Sequence, residues 1–240
     1  MTLLYKEILI VGGTKGIGFA TARAAATAGA RVTITGRSHE SIATARSQLP
    51  DHVAGAVLDY TDAGSVAAFA NGIVTLDHLV VSASDAVAWG PVAQVTEAAL
   101  RAAFDAKFWG YRRVVVALVA KIAAGGSITL LTGAAGRVAV SGTSGLAAVN
   151  GAIESMARVL ATELAPVRVN TVSPGLTATQ AYDAMPAEAR AGMFAATAGR
   201  LPAGRIGQPE DIAAAILMAA ANPFMTGATL DIDGGTHLAR

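Results

Sequence analysis

The sequence predicts an α/β fold in which one domain, residues 1–240, contains a doubly wound sheet of seven parallel strands with helices on both faces. Apolar runs rich in β-branched residues alternate with helical segments along the chain, and this alternation implies right-handed βαβ crossovers. Hydrophobic residues make up 53% of the chain and charged residues 15%, which suits strands covered on both faces. The sequence contains no linker rich in Pro, Gly or Ser, so we expect a single domain.

The first elements follow from apolar runs and glycines. A strand at residues 8–11 runs into a glycine-rich turn, and the helix over 17–28 ends at Gly29 because glycine accepts a positive φ. Further strands are predicted at residues 31–35, 53–58, 78–82, 127–132, 168–172 and 228–232.

The helices follow from periodicity and from breaking residues. Residues 96–122 form a long helical segment that Gly125-Gly126 terminates, and residues 143–164 carry apolar side chains at three- and four-residue steps, which give a helix one apolar face. Shorter helices are expected at residues 39–49, after Asp62 and at 209–220. Residues 177–206 have few strand signals and predict a helical excursion from the sheet.

Composition limits the functional classes. A net charge of +1 gives no broad electrostatic reason to bind nucleic acid or an anionic membrane. The longest apolar runs, 114–120 and 212–221, are shorter than the roughly 18 residues that span a bilayer, and no secretory signal is visible, so we expect a soluble, cytoplasmic protein. The chain has no cysteine and its four histidines lack ligand spacing, so no metal site is expected and the histidines are predicted at the surface.

The glycine-rich turn indicates a phosphate site. Gly12, Gly16 and Gly18 follow a buried strand and precede a helix, where the absence of side chains lets backbone N–H groups and the helix N-terminus approach a pyrophosphate. Their spacing is GxxxGxG, and a plain tight turn is the alternative interpretation.

Several motifs together resemble the short-chain dehydrogenase/reductase family over nearly the whole chain. They are Gly12-Gly13-Thr14-Lys15-Gly16-Ile17-Gly18, Asp59 after the third strand, Arg168-Val169-Asn170 leading into Ser173-Pro174-Gly175, and Asp231-Ile232-Asp233-Gly234-Gly235. The resemblance implies a Rossmann-type sheet that binds a nicotinamide dinucleotide at the carboxyl ends of its strands. It also implies a homo-oligomer, dimer or tetramer, formed through the helices that begin near residues 96 and 143.

Charge at the end of the second strand favours NADP(H). An NAD site usually offers a carboxylate to the ribose 2′-hydroxyl, whereas a 2′-phosphate attracts arginine. The strand ends without a carboxylate, and Arg37 and Lys15 can both meet the phosphate, although two solvated surface cations are the alternative. The expected cofactor-binding residues are Gly12, Thr14, Lys15, Gly16, Ile17, Gly18, Arg37, Ser38, Asp59, Ser82, Ala83, Asn150, Pro174, Gly175, Leu176 and Thr177. The resemblance implies Asp59 at the adenine edge, Ala83 near a ribose, and Leu176 and Thr177 near the carboxamide.

The expected catalytic positions depart from the family pattern of Ser, Tyr-x-x-x-Lys and Asn. The flanking motifs place Gly133, Leu146, Asn150 and Lys107 at the Ser, Tyr, Lys and Asn positions, so Lys and Asn have exchanged places. We hypothesise that Lys107 is an electrostatic or proton-donating group toward a carbonyl-like oxygen and that Asn150 holds the nicotinamide ribose. The alternatives are a helix-surface lysine and an amide that caps local backbone.

Other candidates lie near these positions. Thr132 and Ser144 are the closest available hydroxyls, although Ser144 is also compatible with a simple loop position. The ribose loop is altered to Val81-Ser82-Ala83-Ser84, and the remaining pocket candidates are Asp85, Trp89, Trp109 and Tyr111. Residues 177–206 occupy the place of the family's substrate lid, where Met185, Met193 and Phe194 can form an apolar wall.

Two functions are compatible with this pattern. The first is an atypical NADP(H)-dependent oxidoreductase that transfers hydride to a small apolar carbonyl or quinone. The second is an NADP(H)-binding protein with little or no turnover, acting as a sensor or as a subunit that stabilises another chain. A structural protein with an empty site is a third possibility, in which NADPH leaves the thermal midpoint unchanged.

Overall fold

The computed structural model describes residues 3–83 and 88–238. Its central sheet has seven parallel strands in the order β3-β2-β1-β4-β5-β6-β7. The order reverses between β1 and β4, so a crevice forms at the carboxyl ends of these two strands. The predicted α/β class and the doubly wound parallel sheet are confirmed.

The element boundaries follow the predicted alternation closely. The strands are β1 Glu7–Val11, β2 Arg31–Gly36, β3 Ala54–Val57, β4 Leu76–Val81, β5 Ile122–Leu131, β6 Arg168–Pro174 and β7 Thr229–Ile232. The α-helices are α1 Gly16–Thr27, α2 His39–Arg46, α3 Ala63–Asn71, α4 Glu97–Ala103, α5 Gly110–Leu118, α6 Ser144–Glu163, α7 Ala187–Ala198 and α8 Pro209–Ala221.

Two apolar cores cover the two faces of the sheet. Alternate side chains of β1 point to opposite faces, so Leu9 and Val11 join the core beneath α3, α5 and α6. Ile8 and Ile10 join the other core, to which α1 and α8 contribute. Both faces of the central strands are therefore buried, which explains the low proportion of charged residues.

The long helical segment differs from its prediction in two ways. Between α4 and α5 the chain forms a π-helical turn, Phe104–Trp109, which contains Lys107. The helix then gives way to a 3₁₀ turn, Val119–Lys121, and β5 begins at Ile122, before Gly125-Gly126. The prediction that these glycines terminate the helix was wrong, since they lie inside the strand, in the stretch where its pairing with β4 is irregular.

His78 corrects the expectation that all histidines lie at the surface. It is a buried residue of β4, and its Nδ1 lies 2.9 Å from Ser127 Oγ on β5. Burial lowers the pKa of His78 to about 4, with the nearby Asp77 carboxylate opposing the change. The imidazole therefore serves as a neutral hydrogen-bonding group in the sheet.

The segment expected as a lid lies outside the sheet. Residues after β6 pair once with the chain before α8, through a bridge between Thr177 and Gly207, and α7 lies between these two points. In the described part of the chain no helix combines the length and apolar character needed to cross a membrane.

Candidate active site

A cleft of about 210 Å³ opens at the carboxyl ends of β1, β2 and β4. It brings together most of the predicted phosphate and ribose contacts with the first residues of the lid segment. The lining residues are Val11, Gly12, Thr14, Lys15, Gly16, Ile17, Gly18, Thr35, Gly36, Arg37, Leu58, Tyr60, Ser82, Ala83, Leu131, Thr179, Gln180 and Ala181.

Packing inside the protein explains two of the three glycines in the turn. A Cβ on Gly12 would lie 2.6 Å from the Ala83 nitrogen, and φ at Gly12 is 86°. A Cβ on Gly18 would collide with the Gly12 carbonyl and lie 2.5 Å from Ser82 Oγ. These glycines let the turn, α1 and the end of β4 approach one another, which adds a structural requirement to the predicted approach of a pyrophosphate.

Gly16 instead faces the lid segment. It starts α1 with φ of 57°, and its N–H donates to Gln180 Oε1 at 3.0 Å. The sequence analysis did not select Gln180; the only available signal was its position at the start of the expected lid. An amide oxygen from the lid therefore meets a backbone N–H at the positive end of α1.

Of the predicted cofactor-binding residues after β2 and β3, one lines the cleft and two make hydrogen bonds within their own loops. Arg37 lines the cleft, and its positive charge is one of the causes that lower the pKa of Asp59. The largest cause is the Thr61 hydroxyl, which donates to Asp59 Oδ1 at 2.6 Å. Ser38 is the N-cap of α2, where its Oγ accepts from the Ser41 N–H. Asp59 and Ser38 thus already make local hydrogen bonds, and neither is among the residues lining the cleft.

The segment 174–177 lies beyond the cleft lining. A Cβ on Gly175 would lie 2.8 Å from the Asp233 backbone, so this glycine packs against the chain after β7. Thr177 is buried and its hydroxyl donates to the Gly175 carbonyl at 3.0 Å. Pro174 ends β6 and Leu176 follows at the base of the lid.

Lys107 and Asn150 are in direct contact. Lys107 Nζ donates to Asn150 Oδ1 at 2.7 Å and to the Thr132 carbonyl at 3.1 Å. The side chain of Lys107 is partly buried, and burial of the ammonium lowers its pKa to about 8, while the Glu154 carboxylate opposes this change. The π-helical turn thus directs Lys107 inward, toward α6 and the end of β5.

This contact determines the orientation of the Asn150 amide. A lysine ammonium offers only donors, so the amide oxygen must face Lys107 and the Nδ2 group must face the other way. A Cβ on Gly133 would lie 3.1 Å from Asn150 Nδ2. The amide N–H₂ therefore borders the space that a side chain at position 133 would fill.

The two candidate hydroxyls differ in their surroundings. Thr132 is buried, and its hydroxyl donates to Glu154 Oε1 at 3.1 Å, with the Val172 carbonyl as a second acceptor at 3.3 Å. Glu154 in turn lies 3.6 Å from the Arg137 guanidinium, which also pairs with Asp231 at 3.0 Å. Ser144 is exposed at the start of α6. Thr132 consequently belongs to a buried polar network that includes Glu154, a residue the sequence analysis did not select.

Tyr111 is hydrogen-bonded to two residues that line the cleft, Ala83 and Leu131. It is completely buried, and its hydroxyl donates to the carbonyls of Ala83 at 2.9 Å and Leu131 at 3.2 Å. Burial raises the pKa of Tyr111 well above its usual value. The phenol is therefore a fixed donor that holds the ends of β4 and β5 together, beside Thr132.

The remaining candidates do not enter the described site. Trp89 and Trp109 are 65% and 43% exposed, so neither is the packed core residue that tryptophan usually provides. Asp85 and Ser84 lie outside the described residues. Across residues 3–83 and 88–238, no group of three or more metal-binding side chains is present.

Comparisons with known proteins agree with this fold. The family described as Enoyl-(Acyl carrier protein) reductase matches residues 11–237. The chain is 30% identical to the short-chain dehydrogenase/reductase ATR9 of Stachybotrys chlorohalonatus over 99% of both chains. It is 33% identical to a galactitol 2-dehydrogenase (L-tagatose-forming) of Cereibacter sphaeroides, covering 94% of this chain and 92% of that one.

A solved structure resembles this protein over nearly the whole chain. A small-chain dehydrogenase crystallised in complex with NADPH is 37% identical, with a TM-score of 0.83 over 98% of this chain and 100% of that one. The fold and the matches together define a nucleotide-cofactor oxidoreductase class. The chain belongs to the short-chain dehydrogenase/reductase family of oxidoreductases.

Proposed function

We propose that the protein is an atypical NADP(H)-dependent oxidoreductase that transfers hydride to a small apolar carbonyl compound or quinone. The observation that carries this proposal is the 2.7 Å contact between Lys107 and Asn150, beside a cleft built around the glycine turn. This pair stands where the family pattern has Asn and Lys, while Gly133 and Leu146 stand where it has Ser and Tyr.

The cleft residues fit NADP(H). The glycine turn and the start of α1 supply backbone N–H groups for a pyrophosphate, and Arg37 with Lys15 supplies positive charge for a 2′-phosphate. The NADPH complex of the similar small-chain dehydrogenase supports the same choice. When bound, the cofactor supplies the hydride; the protein supplies position and polarity.

Lys107 and Asn150 supply that polarity at the end of β5. The Asn150 Nδ2 group faces Gly133, and in this proposal it donates to a substrate oxygen bound beside that glycine. Lys107 places its positive charge on the other side of the same amide and polarises it. Negative charge that develops on the oxygen is thereby stabilised by a preorganised donor and a nearby cation. With its pKa at about 8, Lys107 is charged at neutral pH, as polarisation of the amide requires.

The proposed substrate class follows from Leu146, which stands where the family pattern has a tyrosine. A tyrosine general acid typically contributes about 10²–10⁴-fold in rate, so a substrate that needs little acid catalysis tolerates its replacement best. Quinones and activated carbonyl compounds meet this condition. In the lid segment, Tyr182 packs edge-on against Phe194 with ring centroids 5.6 Å apart, and Phe194 lines a hollow beside α1 that is separate from the cleft.

We further propose that residues 1–240 form one domain with a substrate lid at 177–206 and that the protein acts in the cytoplasm on a small-molecule substrate. Exposed Val116 on α5 and Val159 on α6 support a homo-oligomer formed through these helices.

A substrate screen beside a binding titration tests the proposal. We expect NADPH to bind saturably and to be oxidised with phenanthrenequinone much faster than with an unactivated ketone. The control is the same quinone and NADPH without protein. Tight NADPH binding with no turnover on any quinone, aldehyde or ketone would instead support the non-enzymatic sensor or stabilising subunit.

A further inference from the structure

Glu154 is a buried carboxylate beside the proposed active site, and the reaction proposed for Lys107 and Asn150 assigns it no function. Its side chain is 5% exposed and lies one helical turn after Asn150 on α6. Its Oε1 accepts from the Thr132 hydroxyl at 3.1 Å. A charge in such a place is costly unless a cation and hydrogen bonds compensate it.

Arg137 and Lys107 can both compensate Glu154, and they differ in environment. Arg137 lies 3.6 Å away, is 41% exposed, and also pairs with Asp231 at the shorter distance of 3.0 Å. Lys107 is directed inward, and its two hydrogen-bond acceptors among the described residues, the Asn150 amide and the Thr132 carbonyl, are both neutral. Glu154 therefore is the carboxylate that balances the charge of Lys107 from the far side of Thr132.

Thr132 makes hydrogen bonds to both the Lys107 ammonium and the Glu154 carboxylate. Its carbonyl accepts from Lys107 and its hydroxyl donates to Glu154, so one residue fixes both ends of the arrangement. The same strand end is held by Tyr111 through the Leu131 carbonyl. The separation between the ammonium and the carboxylate is thus set by the backbone at the end of β5, which is more rigid than a surface side-chain pair.

We propose that Glu154 is a positioning residue that keeps Lys107 protonated at working pH and that Arg137 tunes this effect by sharing the carboxylate. The proposal deepens the proposed function and rests on Lys107 polarising the Asn150 amide that meets the substrate oxygen. Glu154 acts through Lys107 and does not touch the substrate itself.

The charges around this pair support the assignment. Asp105, on the π-helical turn with Lys107, is exposed and lines a separate surface hollow with Glu97 and Arg101. On the other side of Glu154, a second hollow contains Arg137, Asp231 and two further basic side chains, those of Arg158 and His237. Within the described residues, Glu154 is the group whose charge raises the pKa of Lys107 against the effect of burial.

The charge state of Lys107 can be measured without turnover. The chain has four lysines, at positions 6, 15, 107 and 121, so selective carbon-13 labelling of the lysine ε-carbons gives a simple NMR spectrum that can be followed against pH. The Lys107→Met variant identifies the Lys107 signal by its loss. In Glu154→Gln the titration midpoint of Lys107 is expected to fall by about one pH unit, because an opposite charge no longer favours the ammonium form.

Matched variants separate this effect from a structural one. Arg137→Met removes the guanidinium that shares Glu154 with Lys107 and is expected to raise the titration midpoint of Lys107, the opposite direction to Glu154→Gln. Asp231→Asn removes a carboxylate that pairs with Arg137 and not with Lys107, so a smaller change than in Glu154→Gln is expected. The alkaline limb of quinone reduction should move with the NMR midpoint in each variant.

The outcomes distinguish this proposal from the proposed function. An unchanged Lys107 midpoint in Glu154→Gln overturns the role of Glu154, whatever the activity. If Glu154→Gln does not fold, a midpoint in Arg137→Met that stays constant or falls overturns it. Absence of quinone turnover in the wild type overturns the proposed function, and retained turnover in Lys107→Met overturns the role of Lys107 in it. The NMR result for Glu154 is unaffected by either outcome.

Discussion

Arg37→Asp is expected to weaken the binding of NADPH about 100-fold while changing the affinity for NADH by less than about threefold. Arg37 lines the cleft after β2, where a guanidinium can form two hydrogen bonds to a 2′-phosphate. An aspartate there repels the phosphate and offers an acceptor to the 2′-hydroxyl of NADH. Fluorescence titration of both reduced cofactors gives the two dissociation constants.

Arg31→Asp is the matched control for this variant. Arg31 lies at the opposite end of the same strand, exposed and paired with Glu7, so the substitution makes the same charge change away from the cleft. Its NADPH affinity should equal that of the wild type. Equal NADPH affinity in Arg37→Asp and Arg31→Asp would show that Arg37 does not contact the 2′-phosphate.

Lys107→Met is expected to lower the turnover of phenanthrenequinone with NADPH about 100- to 1,000-fold, with NADPH affinity within about threefold of the wild type. Methionine keeps much of the side-chain volume but removes the cation that faces the Asn150 amide oxygen. The amide then loses both its polarising partner and its fixed orientation. Steady-state rates and a cofactor titration on the same preparation measure the two effects.

Lys121→Met provides the comparison for Lys107→Met. Lys121 precedes β5 at the end of the sheet opposite the cleft, so removal of its charge leaves the site unchanged. Its turnover should match the wild type. Wild-type turnover in Lys107→Met, in protein with an unchanged thermal midpoint, would contradict a role for Lys107 in the reaction.

The sequence was sufficient to predict the sheet because parallel strands buried on both faces require long β-branched runs. Strands β1, β2, β4 and β6 each contain Val, Ile or Thr in a largely buried stretch, and each ends within about two residues of its predicted limit. The π-helical turn at Phe104–Trp109 could not be predicted, because one extra residue in a helix leaves the helical composition unchanged. The burial of His78 also depends on a tertiary partner, Ser127, that lies 49 positions away.

The site was predictable where backbone geometry demands a particular residue. Gly12 and Gly18 have no room for a side chain, so their spacing was a reliable signal. Glu154 could not be predicted as a site residue, because the pattern of its helix indicates only an apolar face. Its position four residues after Asn150 places the two side chains on the same face of α6. The role of Thr132 likewise depends on contacts between β5 and α6 that no local pattern encodes.

Single-turnover oxidation of NADPH tests the central claim most directly. Protein in excess over NADPH is mixed with phenanthrenequinone, and the loss of reduced nicotinamide absorbance is followed in time. We expect a protein-dependent phase that saturates with quinone and slows when the transferred position of the nicotinamide carries deuterium. NADPH that binds tightly and is not oxidised in any protein-dependent phase would contradict the assignment of this protein as a reductase.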